Sequence, residues 1–328
     1  MARGRAKKSD QSSLHKAVEF CKLASNENAE QHTQHMTFIN GYAYRYDGIL
    51  AVAYPCADQI SVAPLFEKFE QALKRVGNDF EILISDDKMI VKGGKLRAHV
   101  PVMSADDYPA VPPDAMLIAV EDEAFRGHMT RVSRIASDTS SHVITASILL
   151  TNGFATSTDR NVLLQTRHGV FIDGSLSVPK TAIAALLKSG EKLLGFGYSE
   201  GSITFWFESG AFIRSQLYAQ EWPDVDAFLP TTPETHKQLP KDFFEAVENI
   251  VALSETDDIV IDKRGVSDGN ADDVTASLHE TKIKDGSGKV SGKRLLFLRD
   301  FVDSANFDAD DKVTFFGTDF RATIQKRH

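Results

Sequence analysis

The chain is poor in cysteine. Cys21 and Cys56 are the only two among its 328 residues. That is too few for a disulfide framework, and a reducing compartment such as the cytoplasm is the expectation. Long apolar runs are missing as well. Nothing approaches the run of about 18 apolar residues that would cross a bilayer, so no membrane association is expected. The start, Met1-Ala-Arg-Gly-Arg-Ala-Lys-Lys8, is basic, but no apolar segment follows it as a secretory signal would require. Positive charge is not in excess: 37 Lys and Arg stand against 46 Asp and Glu, a net charge of −9. Such a chain does not coat nucleic acid with its whole surface, although a basic stripe on one face stays open.

Motifs for nucleotide, metal and nucleophile chemistry are also lacking. In Gly286-Ser-Gly-Lys-Val-Ser-Gly-Lys293 the pair Gly292-Lys293 is followed by Arg294, whereas a phosphate loop needs Ser or Thr there. A flexible loop is the better reading. His32-x-x-His35 has no third ligand at metal spacing. Asp308-Ala-Asp310-Asp311 has neither the glycine nor the distal glutamate of a calcium loop. No serine sits in a nucleophile elbow. An enzyme is the weaker class, and no cofactor is expected.

What is present is repetition. Asn40-Gly41-Tyr42-Ala43 returns as Asn152-Gly153-Phe154-Ala155, with Asp47 falling on Asp159 and Leu50 on Val162. Ala72–Gly77 returns as Ala185–Gly190, and Tyr108-Pro109 as Trp222-Pro223. Three matches in order, at nearly constant offset, make internal duplication the reading. With roughly 100–150 residues per domain, the repeats divide the chain into residues 1–115, with a basic tail over 1–11, then 116–230 and 231–328.

Each repeat has the same coarse order. In the first, helical spacing covers Ser12–Ala24, followed by strands Met36–Tyr46 and Ile49–Tyr54 about Asp47-Gly48. A second helix starts at Pro64 with the stripe Leu65, Phe69, Leu73 and Val76. Strands Phe80–Ser85, Lys88–Lys92 and Leu96–Val102 close it, turning at Asp86-Asp87 and Gly93-Gly94. The second repeat reads as helix Ala124–Ala136, strands His142–Ala155 and Asn161–Thr166, and helix Pro179–Lys188. Strands Leu194–Tyr198, Ser202–Glu208 and Ala211–Tyr218 end it. The third is fainter: helix Lys241–Leu253, strands Asp258–Asp262 and Val274–Ile283, helix Gly292–Ala305 and strand Lys312–Phe316. It stops early, leaving Phe320–His328 where the other repeats have two strands. Pro223, Pro230, Pro233 and Pro240 punctuate the join before it. The fold class is α+β.

Val143 to Pro230 resembles the middle domain of the bacterial DNA polymerase sliding clamp, the beta subunit that serves as processivity factor. The residues that carry this are Phe154-Ala-Thr-Ser-Thr-Asp-Arg160, Ser177-Val-Pro-Lys180, Trp222-Pro-Asp224 and Phe228-Leu-Pro230. Ser104-Ala-Asp-Asp-Tyr-Pro109 is similar to the matching end of that family's first domain. The resemblance implies a DNA-clamp fold of three helix–strand–helix–strand units, closed into a ring by a head-to-tail homodimer. The implied role is non-catalytic. The ring encircles double-stranded DNA without sequence preference and tethers a DNA polymerase, after loading by a clamp-loader ATPase. The short length and worn third repeat suggest a viral (bacteriophage) version.

The charge pattern agrees. Lys and Arg outnumber Asp and Glu over the six expected helices, while the remainder of the chain carries the negative excess. Helices facing phosphate would use Lys16, Lys68, Lys74, Arg75, Arg126, Arg131, Arg134, Lys180, Lys188, Lys293, Arg294 and Arg299. Contacts of this kind hold DNA without reading it. The bland alternative is that Lys and Arg simply favour solvated helix faces, and the helix with Asp242, Glu245 and Glu248 dissents. The resemblance further places a partner-peptide pocket at Ile144, Thr156, Arg160, Pro223 and Phe228, with core packing the alternative for Ile144 and Phe228. Thr158-Asp159, Asn161 and Ala227 depart from the family pattern, and its pocket-completing C-terminal strand has no clear counterpart after Gln325. A competing class is a clamp-fold protein that recruits replication or transcription partners without encircling DNA.

Overall fold

A computed structural model describes residues 11–24, 31–57, 60–85, 88–137, 141–231, 235–269, 276–284 and 286–327. The basic tail up to residue 10, the Asp86-Asp87 turn, Pro233, residues 274–275 and the His32 side chain lie outside them. Among the described residues the helices are α1 (Gln11–Cys21), α2 (Phe66–Val76), α3 (Asp122–Ser133), α4 (Lys180–Lys188), α5 (Phe243–Leu253) and α6 (Gly292–Leu296). None is long and apolar enough to cross a membrane.

The chain forms two compact units, and each takes elements from two repeats. The first comprises residues 1–123 and 181–217. Its larger sheet runs 37–39, 42–46, 50–55, 212–216, 202–207, 193–198, 118–119 in spatial order, so strands of the first repeat continue directly into those of the second. The joint is antiparallel, with Phe212 opposite Ala53 and Ser215 opposite Leu50. The same unit holds a four-stranded sheet of 62–64, 96–104, 88–93 and 81–85. Helix α2 shows why the local sequence folds as it does. Phe66, Phe69, Ala72 and Leu73 are buried at helical spacing. Lys74 and Arg75 occupy its last turn, where the helix dipole favours cations. Gly77, at φ 69°, ends it and donates its amide to the Leu73 carbonyl.

The second unit comprises residues 124–180 and 218–328. Its eight-stranded sheet runs 175–179, 147–151, 154–158, 162–167, 320–325, 312–317, 304–306, 237–238. Here the second repeat passes into the third where Val162 lies opposite Ile324 and Thr166 opposite Phe320. A smaller sheet holds 278–280, 265–267, 258–262 and 288–291. Phe243, Phe315, Met129, Ile148 and Leu150 are among its fully buried side chains. Each such residue contributes about 1.5–3 kcal/mol by leaving water.

The structure departs from the sequence pattern in several places. Pro64 and Pro179 do not open helices; each ends a strand, and the helix follows. Met36–Tyr46 and His142–Ala155 are not single strands. Asn40-Gly41 and Asn152-Gly153 split them into hairpins, with Asn40, Gly41 and Gly153 at positive φ. The third repeat is not short of strands: 304–306, 312–317 and 320–325 all form. The shortening falls on α6, which stops at Leu296 instead of Ala305. Phe301, expected within that helix, follows Asp300 at φ 75° and packs on Phe320. With the closing strands in place, the worn third repeat no longer supports a viral origin.

Candidate partner pocket and cationic helix faces

The second unit contains a cavity of about 440 Å³. One wall is the turn between strands 154–158 and 162–167. Asp159 builds that turn: its Oδ1 accepts from the amides of Asn161 (2.9 Å) and Val162 (2.8 Å). Thr158 Oγ1 donates to Val162 O (2.7 Å) and accepts from the Arg160 amide (3.0 Å). Arg160 is thereby held at φ 78°, exposed at the rim. The other carboxylate oxygen of Asp159 accepts from Arg294 Nε at 2.6 Å, so α6 braces the turn from behind.

The opposite wall is segment 220–228. Trp222 Nε1 donates to Ser177 Oγ (3.2 Å). Asp224 caps the short 3₁₀ turn 225–227 through the Asp226 amide (3.1 Å). The Phe228 carbonyl accepts from Thr323 Oγ1 at 2.9 Å, and Phe228, 54% exposed, lines the cavity. Ile144, Leu163, Val225 and Thr323 line it, and Asp311, Lys312 and Gln325 form the far rim. Strand 320–325 supplies one side of the cavity through Thr323 and Gln325.

Of the five residues expected there, Ile144, Arg160, Pro223 and Phe228 line the cavity. Thr156 does not: it is fully buried in the sheet. It accepts from Gln165 Nε2 (3.0 Å), while Gln165 Oε1 accepts from Arg321 Nε (2.9 Å). Arg321 also donates to Pro230 O (3.2 Å) and pairs with Asp226. This row across three strands fixes the 220–230 wall to the sheet. Linear spacing gives no hint of Gln165 or Arg321, because what joins them to Thr156 is strand register.

The expected DNA-facing cations differ in their surroundings. Lys16, Lys68, Arg75, Lys188 and Lys293 are exposed. Lys74 is exposed too but lies 2.5 Å from Glu70. Burial opposes ionisation of Glu70, yet Lys74 and Lys22 together outweigh it and hold that carboxyl below its usual range. Arg126 is half-buried on α3. Arg131 and Arg134 lie over the Phe301 ring. Lys180 Nζ donates to the Ala136 carbonyl (2.5 Å). Arg299 pairs with Glu248 at 2.8 Å, so the acidic face of α5 is partly neutralised within the second unit.

No family model matches this sequence, and no curated protein does. Solved structures do. The chain is similar to DNA polymerase III subunit beta from Pseudomonas aeruginosa, at 14% identity and a TM-score of 0.80 over 99% of both chains. It is similar to the Helicobacter pylori beta clamp bound to a DNA ligase peptide, at 16% identity and 0.79 over 97% of this chain and 99% of that one. The Bacillus subtilis DNA polymerase sliding clamp gives 12% and 0.82 over 97% and 98%. At such identities the likeness is one of fold, and the chain has the DNA-clamp fold along nearly its whole length.

Proposed function

We propose that the protein is a sliding clamp: a homodimeric ring that encloses double-stranded DNA without reading sequence and tethers a DNA polymerase. The observation that carries this is the way the repeats join. Strand 50–55 of the first repeat pairs with 212–216, the last strand of the second. Strand 162–167 of the second pairs in the same sense with 320–325, the last of the third. The equivalent strands left over are 278–280 in the third repeat and 96–104 in the first. Among the described residues, 278–280 is a sheet edge, and 96–100 has a strand on one side only. Leu278 is 42% exposed and Leu96 39%. Unpaired edges seek partners, and a second copy offers the complement at both ends, head to tail. That closes six repeats into one ring.

A closed ring holds DNA by topology, so its cations need supply only weak, salt-sensitive attraction. The clamp itself catalyses nothing; it raises the local concentration of whatever is docked in its pocket. The pocket's apolar lining and polar rim suit a short peptide, the class of ligand that the H. pylori clamp carries. Ring opening would fall to a clamp-loader ATPase, and the setting is the cytoplasm. Light scattering on eluting protein tests the assembly: twice the mass of one chain is expected, and Leu278→Lys shifts it towards one. A monomeric parent would favour a recruiter that does not encircle DNA.

A further inference from the structure

Two of the cations assigned to phosphate share one support. The guanidinium carbons of Arg131 and Arg134 lie 5.1 and 4.6 Å from the centre of the Phe301 ring. Arg131 is in the last turn of α3 and Arg134 lies one residue past its end at Ser133, so both reach the ring from the C-terminal end of that helix. Phe301 is itself fixed from several sides. Its amide donates to Leu298 O (3.1 Å), closing the turn after α6. Its ring packs against Phe320, with centroids 5.6 Å apart. Its carbonyl oxygen comes so close to Gly317 that a β-carbon there would stand 1.7 Å away. Only glycine permits that approach. The ring is thus anchored to the eight-stranded sheet, while the arginines come from another repeat, Arg131 from the last turn of α3 and Arg134 from the residue just past its end.

An aromatic face attracts a guanidinium through its quadrupole and leaves the five N–H donors at the edge of the plane free to bond elsewhere. An arginine that is loose on a helix surface loses rotamer freedom when it grips phosphate. One that already rests on a ring has lost part of that freedom before DNA arrives. Resting on the reading of α3 as a phosphate-facing helix, we propose that Phe301 is a positioning residue for DNA, its ring holding Arg131 and Arg134 together for the backbone of one duplex. The device needs the third repeat to support the second, which gives a reason for α6 to end at Leu296 and yield to a turn bearing an aromatic residue.

The test titrates a fluorescently labelled linear duplex with the full-length protein over a series of NaCl concentrations. Phe301→Leu keeps apolar bulk against Phe320 and removes the π face; Phe301→Tyr keeps both. Phe301→Leu is expected to weaken association by about threefold to tenfold, and Phe301→Tyr to behave as the parent. In a background already carrying Arg131→Ala and Arg134→Ala, Phe301→Leu should add nothing, because the coupling vanishes with the arginines. If the arginine double variant binds as the parent does, the reading of α3 falls and this proposal with it. If the double variant is weakened but Phe301→Leu is not, the proposal alone is wrong. Equal weakening by Phe301→Leu in both backgrounds also overturns it, since that marks a purely structural role. Should Phe301→Leu not fold, Phe301→Met takes its place in the same cycle.

Discussion

Phe228 is the residue whose role the geometry separates most clearly. A residue 54% exposed at a cavity contributes little to the core, whereas an aromatic at the centre of an interface is a common binding hot spot. Phe228→Ala should therefore weaken a docked polymerase peptide by about 2 kcal/mol, roughly thirtyfold, with the melting temperature almost unmoved. Calorimetric titration of the peptide checks it, and unchanged affinity would place the partner elsewhere. His168 makes a different prediction. Burial pushes its pKa down to about 4, and its Nδ1 accepts from the Val170 amide at 3.0 Å, a bond open only to the neutral ring. In the unfolded chain it titrates near 6.5. The unfolded state then binds more protons between those values, so the contribution of His168 to stability is full above about pH 6.5 and falls as pH drops towards 4. Denaturant midpoints measured across that window should decline on acidification, and His168→Gln should flatten the decline. Legibility at this scale follows local chemistry. Asp47 and Asp159 match in sequence because each performs the same turn: Asp47 Oδ1 accepts from the Ile49 and Leu50 amides as Asp159 does from Asn161 and Val162. Thr156 sits in the sheet instead of the pocket because its partners, Gln165 and the Arg321 behind it, lie on other strands.

Among the elements, helices α2, α4 and α5 and most closing strands stand close to their expected bounds, since apolar spacing and turn residues encode them locally. The two-residue strands 118–119 and 237–238 have no such signal; each is a strand only because a sheet edge accepts it. α3 carries the functional expectation at this scale. Phe125, Met129 and Val132 are its buried stripe, so Arg126 and Arg131 lie off the core face, and Arg134, in the turn just past the helix, is exposed. Changing all three to Ala should weaken DNA association and reduce the magnitude of the salt slope by about one unit for each phosphate no longer neutralised, equally for every DNA sequence. Melting should shift modestly, because the arginines also rest on Phe301. Anisotropy titrations on two unrelated duplexes decide it: parental binding, or a weakening that depends on base sequence, would contradict a sliding role.

For the molecule as a whole, the duplication is visible in the sequence but its consequence is not. Residue spacing divides the chain into three repeats, whereas the compact units each combine parts of two. No linear pattern tells strand 50–55 to pair with 212–216, far along the chain, because register over that distance is settled by the apolar faces being buried together. That repeated joint is what motivates closure by a second copy, and closure is what the proposed function depends on. The most direct measurement loads the protein, with a clamp loader and ATP, onto a nicked circular plasmid, and then compares retention before and after linearising the DNA. A ring held by topology stays on the circle through gel filtration in high salt and slides off the linear form. Equal retention on both would contradict encirclement.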